Sequence, residues 1–243
     1  WALMNEPRDA ACWAFIRGSF ELFVYGWYPE PERWRVNLTF ILFIAAIVGG
    51  LRENIPGKKY WLIFAAAFPF IAAWLLLGGF GLEPVSTNKL GGILLTLVVA
   101  VTGISFSLPL GIALALGRRS NLPALRGVCV IFIEFIRGVP LITLLFVAST
   151  MLTYFLPPGS TFDLLMRVLI MVTLFASAYI AEVVRGGLQG LSTGQYEAAD
   201  SLGLSYWKSH RLIILPQALK ISIPGIVNTF IGSYKDSVLV LII

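Results

Sequence analysis

The chain has 243 residues, 58% of them hydrophobic and only 13% charged, with a mean hydropathy of +0.84. A soluble domain carries about a quarter charged residues, so the composition excludes a water-solvated globule and makes a bilayer the solvent. The net charge of +5 belongs, in such a chain, to cytoplasmic loops. Aromatic interleaving of the basic residues is absent, so no nucleic-acid partner is expected.

A membrane span needs about 20 apolar residues. Ahead of the first such run, residues 1–35 include the mixed stretch AFIRGSFELFVYGWYPEPERW, which suits an amphipathic helix lying in the interface or a plain linker. Spans are then predicted at 36–51, 60–80, 90–117, 127–156, 162–184 and 212–234, with a seventh starting near Val238 and cut short. The first is short. The fourth is too long for one crossing, so it is expected to tilt, break or fold back around Gly138, Val139 and Pro140.

The connecting loops alternate in charge. RENIPGKK (52–59) and GRRSNLPALR (117–126) are basic, whereas GLEPVSTNK (81–89) and PPGSTFD (157–163) are nearly free of net positive charge. The positive-inside rule then places the first two, with 195–211, in the cytoplasm and the other two outside. The opening stretch carries Arg8, Arg17, Arg33 and Arg35, which the same rule would draw inward, but the alternation of the loops puts 1–35 outside. Cys12 and Cys129 lie in unlike surroundings and suggest neither a disulfide framework nor a metal site. Trp1 at the start and Ile243 inside the run VLVLII lead us to expect a longer natural chain.

Between the last two complete spans lies QYEAADSLGLSYWKSHRLIILP, residues 195–216. Ser192 and Gln195 fit a capping box, in which each side chain satisfies the other's backbone N–H. Glu197 falls in an early turn, where a carboxylate favours the positive helix end. The helix is predicted to end at Leu202, with Gly203 in the left-handed position that closes many helices. Ser205 caps a second short helix that leads through Lys208, His210 and Arg211 into the membrane. Ala198 and Ala199 give the first helix a methyl face able to sink into a groove on another protein, flanked by Tyr196 and Leu202, with Asp200 on the wet side. The residues alone equally admit an ordinary surface helix between two spans.

EAADSLG followed by IILPQAL resembles the cytoplasmic coupling motif of ABC importer permeases, in which E-A-A precedes a glycine and then I-x-L-P. The matching positions are Glu197, Ala198, Ala199, Gly203, Ile213, Leu215 and Pro216. EFIRGVPLITLLF (134–146), AYIAEVVRGGLQGLSTGQYEAADSLG (178–203) and LPQALKISIPGIVNTFIGSYKDS (215–237) are similar to the amino-acid-importing branch, in particular to the larger permease subunit of general L-amino acid uptake systems. The chain departs from that branch at Leu144, where Gln is common, and at Ser237-Val238-Leu239, where Thr-Ser-Leu is usual.

The resemblance implies an all-α integral membrane protein, a multi-span bundle of the type I ABC importer permease kind. Residues 36–89 would be two extra N-terminal spans and 90–243 the permease core, with its coupling loop at 192–211. It implies a multi-pass protein of the bacterial inner membrane. It implies that Gln195, Glu197, Ala198, Ala199, Leu202, Gly203, Leu215 and Pro216 take hold of a separate ATP-binding cassette subunit, on which ATP and Mg would be bound. Further implied partners are a second permease subunit, similar or identical, and a periplasmic amino acid-binding protein.

Charges inside spans are expensive unless paired or hydrated. Glu134 with Arg137, and Glu182 with Arg185, are each three apart on one helix face. Each pair either neutralises itself or lines a hydrated path, where a guanidinium suits a substrate carboxylate and a glutamate its ammonium. Arg185 and Glu182 equally suit the cytoplasmic rim, and Lys235 with Asp236 an outer boundary. No G-x-x-x-x-G-K-[ST] occurs, so the chain has no P-loop of its own, and no reactive constellation suggests catalysis or a bound cofactor. The alternative reading, an ion-driven secondary transporter of small polar solutes, is disfavoured because no internal repeat with matching broken helices is found.

Overall fold

The computed structural model describes residues 13–52, 55–151, 154 and 162–242. Cys12, most of the predicted outer loop 157–163 and Ile243 lie outside the described residues. Among those described, the regular elements are helical, apart from an isolated bridge between Gly79 and Leu82. Among the described residues, five helices are long and apolar enough to cross a membrane, and a bent pair can supply a sixth crossing. A helix satisfies all its backbone groups internally, which is what a chain in lipid requires. The all-α expectation therefore holds.

The chain divides into two compact units, Trp1–Val98 and Val99–Ile243. In the first, α1 (Trp13–Tyr25) precedes a 3-10 turn at Glu30–Glu32 and two antiparallel spans, α2 (Arg33–Leu51) and α3 (Lys58–Leu77). Trp13, Phe15, Phe20 and Phe23 of α1 are exposed. The α2/α3 pair meets through rings: Phe43 and Phe68 lie 5.6 Å apart. Gly49 leaves room for Trp61, whose ring a Cβ there would meet at 2.2 Å. Arg35, at the head of α2, is buried, held by Glu32 at 2.6 Å and by the Glu83 carbonyl at 2.7 Å. A buried charge needs such partners.

The boundary between the units falls inside α4 (Gly92–Arg118), and the second unit continues with α5 (Pro123–Gly138) and α6 (Leu141–Phe146). The long fourth hydrophobic run does break where expected. The segments Pro123–Gly138 and Leu141–Met151 meet at 103°. Val139 is extended (φ −105°, ψ 132°) because the ring of Pro140 crowds the helical conformation of the residue before it. Pro140 has no N–H to leave unpaired, so it can head α6. A π-helical turn, Val147–Met151, follows.

Asp163 then caps α7 (Leu164–Gln189) by accepting from the Met166 N–H at 3.1 Å. Next come α8 (Thr193–Ser201), α9 (Tyr206–Ser209), a π-helical turn at His210–Ile214, and α10 (Leu215–Asp236). The expected seventh span is represented by Ser237–Ile242, a 3-10 segment continuing directly from α10. Antiparallel α7 and α10 form the centre of this unit, and small residues set their separation. A Cβ at Gly187 would lie 2.0 Å from Ser222 Oγ and 2.5 Å from the Ala218 carbonyl oxygen, and one at Gly225 would lie 2.7 Å from Val183. On the other side of α7, Gly111 of α4 lets Ile180 approach. Such glycines allow helix backbones to pack closely in lipid. Ile133, Ile180, Val184, Leu188, Ile214 and Ala218 are buried together around this contact.

Candidate functional site

The 192–211 segment folds as two short helices that run into a span. Ser192 occupies the N-cap position of α8, but no side-chain cap bond forms. The predicted capping box is thus corrected: Gln195 turns its amide oxygen to Gln217 Nε2 of α10, 2.9 Å away. A bond across helices replaces a local one, because α8 folds back on the π turn that leads into α10 rather than standing free. The C-terminal end is as expected. Gly203 has φ +65°, its N–H bonds the Asp200 carbonyl at 2.9 Å, and the Leu204 N–H bonds the Ala199 carbonyl at 3.2 Å. This reciprocal pattern is a Schellman closure.

The expectation that Ala199 faces outward is also corrected. Ala199 is fully buried within its own chain, and its small size lets α8 lie against the neighbouring π turn and α9. Tyr196 turns inward as well. Its hydroxyl receives a bond from Arg119 Nη1 at 3.1 Å and donates to the Leu188 carbonyl at 3.4 Å. The Arg119 guanidinium also lies 5.7 Å from the Tyr196 ring centre. What α8 and α9 present outward is Glu197, Ala198, Leu202, Tyr206 and Trp207, with Leu202 and Trp207 each 73% exposed. Leu215 and Pro216 open α10 without a break, and Tyr206–Val240 forms one span-length element of 35 residues. His210 folds back on its own turn, with its ring 4.0 Å from that of Tyr206.

The second feature is a charge cluster contributed by three helices. Glu182 of α7 is its centre. Arg185, one turn on, grips it through Nε at 3.0 Å and Nη2 at 2.9 Å, and Arg118 from the end of α4 bonds its other oxygen. Arg137 of α5 stands 3.7 Å away. Glu134 does not pair with Arg137, contrary to the self-neutralised reading. It reaches Arg118 at 3.0 Å instead. The Glu182–Arg185 pair does form within its own helix.

Three guanidinium groups therefore face two carboxylates, leaving one net positive charge in a partly buried site. Gln189 extends the network by accepting from Arg185 Nη1 at 2.7 Å. Sequence reasoning missed Arg118, Arg119 and Gln189. The available signal was Arg118 itself, a basic residue closing a long apolar helix, which reads in one dimension as a loop charge. Lys235 and Asp236 lie in the last turn of α10 and join no ion pair among the described residues.

A family model for the binding-protein-dependent transport system inner membrane component matches residues 107–243. The inner membrane amino-acid ABC transporter permease protein YhdY of Escherichia coli K12 is 53% identical over 238 residues, which cover 97% of this chain and 65% of that protein. The glutamate/glutamine/aspartate/asparagine transport system permease protein BztC of Rhodobacter capsulatus is 44% identical, covering 97% of this chain and 68% of that one. The chain thus spans about two thirds of the length of these relatives. A solved structure described as the crystal structure of an amino acid ABC transporter with histidines is 32% identical, with a TM-score of 0.53, covering 60% of this chain and 68% of its own.

Proposed function

This chain belongs to the family of binding-protein-dependent transport system inner membrane components, and on that premise we propose that it is a permease subunit of an ATP-driven amino acid importer of the bacterial inner membrane. It forms part of the translocation path and receives its driving force from a separate ATP-binding cassette subunit carrying ATP and Mg. A second permease subunit completes the path, and a periplasmic binding protein delivers the amino acid. The Escherichia coli relative is named as an amino-acid ABC transporter permease, which favours this reading over an ion-driven carrier.

One observation carries the proposal. The α8 helix is fastened to α10 through Gln195–Gln217 and to the end of α4 through Arg119–Tyr196, while its opposite face stays open. A partner that grips Glu197, Ala198 and Leu202 therefore moves both helices at once. Glu182 and its three arginines stand at the inner end of the path, where α4, α5 and α7 meet. Closed, they latch the three helices together. Opened, the same groups offer guanidinium for a substrate carboxylate and carboxylate for its ammonium.

The test alters only the exposed face. In the complete transporter, Leu202→Glu with Glu197→Arg should lose ATPase co-purification and substrate-stimulated ATP hydrolysis, while the permease itself stays in the membrane at parental amounts. Parental levels of both in that variant would refute the docking role and, with it, the importer reading.

A further inference from the structure

We propose that a cleft beside the charge cluster holds the headgroup phosphate of an anionic phospholipid from the cytoplasmic leaflet. The cleft has a volume of about 970 Å³ and opens where α4 passes into α5. Arg118, Arg119, Arg126 and Arg185 line it, joined by Ser120 and Asn121, and no carboxylate is among its lining residues.

The four arginines are not equally engaged. Arg118 and Arg185 are answered from behind by Glu134 and Glu182. Among the described residues the Arg119 guanidinium bonds only the neutral Tyr196 side chain, and Arg126 joins no ion pair. Two guanidinium groups thus face the cleft without a counter-charge, and their planar donors match phosphate oxygens. The wall beside them is apolar. Val130 and Ile131 line the cleft, and Val128, Ile131 and Phe135 form an exposed stripe along α5.

A free phosphate ion has no use for that stripe, and neither has an acidic protein surface. A phospholipid uses both halves: phosphate on the arginines, acyl chains along α5. Basic recesses between membrane helices on the cytoplasmic side take such headgroups. The inference rests on the membrane placement of the chain and not on import.

The experiment uses the complete transporter purified in mild detergent. It is exposed to equal amounts of phosphatidylglycerol and phosphatidylcholine, and retained lipid is counted by native mass spectrometry. Phosphatidylglycerol should be retained in preference. Arg126→Gln should weaken that retention about fivefold and Arg126→Glu about thirtyfold, the effect of one and two charge units at a membrane surface, while Arg126→Lys keeps most of it. Equal retention of the two lipids, parental retention by Arg126→Glu, or displacement of the lipid by inorganic phosphate would overturn the proposal. A photoactivatable phosphatidylglycerol on the unaltered transporter gives a reading free of any folding defect: it should label residues 118–131, and labelling confined elsewhere refutes the site. Lipid retention is read without substrate, so failure of the import reading leaves it standing.

Discussion

The two antiparallel helix pairs, α2/α3 in the first unit and α7/α10 in the second, are built from similar apolar sequence and are held in opposite ways. The first meets through large rings, with one glycine admitting the half-buried Trp61 side chain. The second meets backbone to backbone at Gly187, against the Ala218 carbonyl, while Gly225 receives the Val183 side chain and Ser222 Oγ donates to the Val183 carbonyl at 3.2 Å. Rings on flexible stems can turn and still fill space, whereas apposed backbones have no rotamer to change. The first pair is suited to anchoring, and the second to carrying a displacement along its length undiminished.

That contrast can be broken most severely at Gly187. Gly187→Leu would push carbons into the Ala218 carbonyl, and overpacking of this kind costs about 1–3 kcal/mol or more. The variant should lower the thermal midpoint of the purified complex and abolish uptake. Next comes Ala199→Trp. Because this position is buried within the chain, the indole should unseat α8 from the π turn and α9, and limited proteolysis should cut the 192–211 segment faster than in the parent even with no ATPase present. Resistance to the protease equal to the parent's would mean that α8 has room we do not find.

A third variant, Glu182→Gln, leaves three guanidinium groups around a neutral amide. Charge-assisted hydrogen bonds contribute about 1.5–3 kcal/mol each, so uptake should fall well before assembly does, as an uptake assay set beside complex yield would register. Gly203→Val places a β-branched residue in the left-handed region, at about 1–2 kcal/mol. It should reduce stimulated ATP hydrolysis with little change in the spans. The mildest expectation sharpens the comparison from the other side. Gly49→Ala meets the Trp61 ring and no backbone, and the helix propensity gained, about 1 kcal/mol, offsets part of the crowding. Its thermal midpoint should fall less than that of Gly187→Ala.

Periodicity and composition were enough to read the spans, because lipid makes a long apolar run nearly synonymous with a helix. The break at Val139 and the turn at Gly203 were also legible, since proline and a positive φ act on the residue itself or its neighbour. What escaped were pairings across helices. Gln195 and Ser192 satisfy a local pattern, yet Gln217 lies 22 residues on and wins because α8 folds back on the π turn that leads into α10. Glu134 has Arg137 one turn away and takes Arg118, from another helix, instead. Ala199 reads as exposed in a polar segment and proves to be buried, since the helix rests on its own chain. Local chemistry proposes partners, and packing chooses among them.

The π turn at His210–Ile214 has a consequence for how α8 and α9 are aimed. A π turn spaces its hydrogen-bonded residues one position further apart than an α turn does, and each residue of an α-helix occupies about 100° of arc. The turn therefore works as a phase shifter. It sets the bearing of Tyr206 and Trp207 around the axis independently of the face by which α10 meets α7. Deleting one residue there would leave a continuous helix of nearly the same length, but rotate everything ahead of it by roughly a quarter of a circle. Lengths and contacts would then survive almost intact, with the exposed face of α8 and α9 turned away from its present bearing.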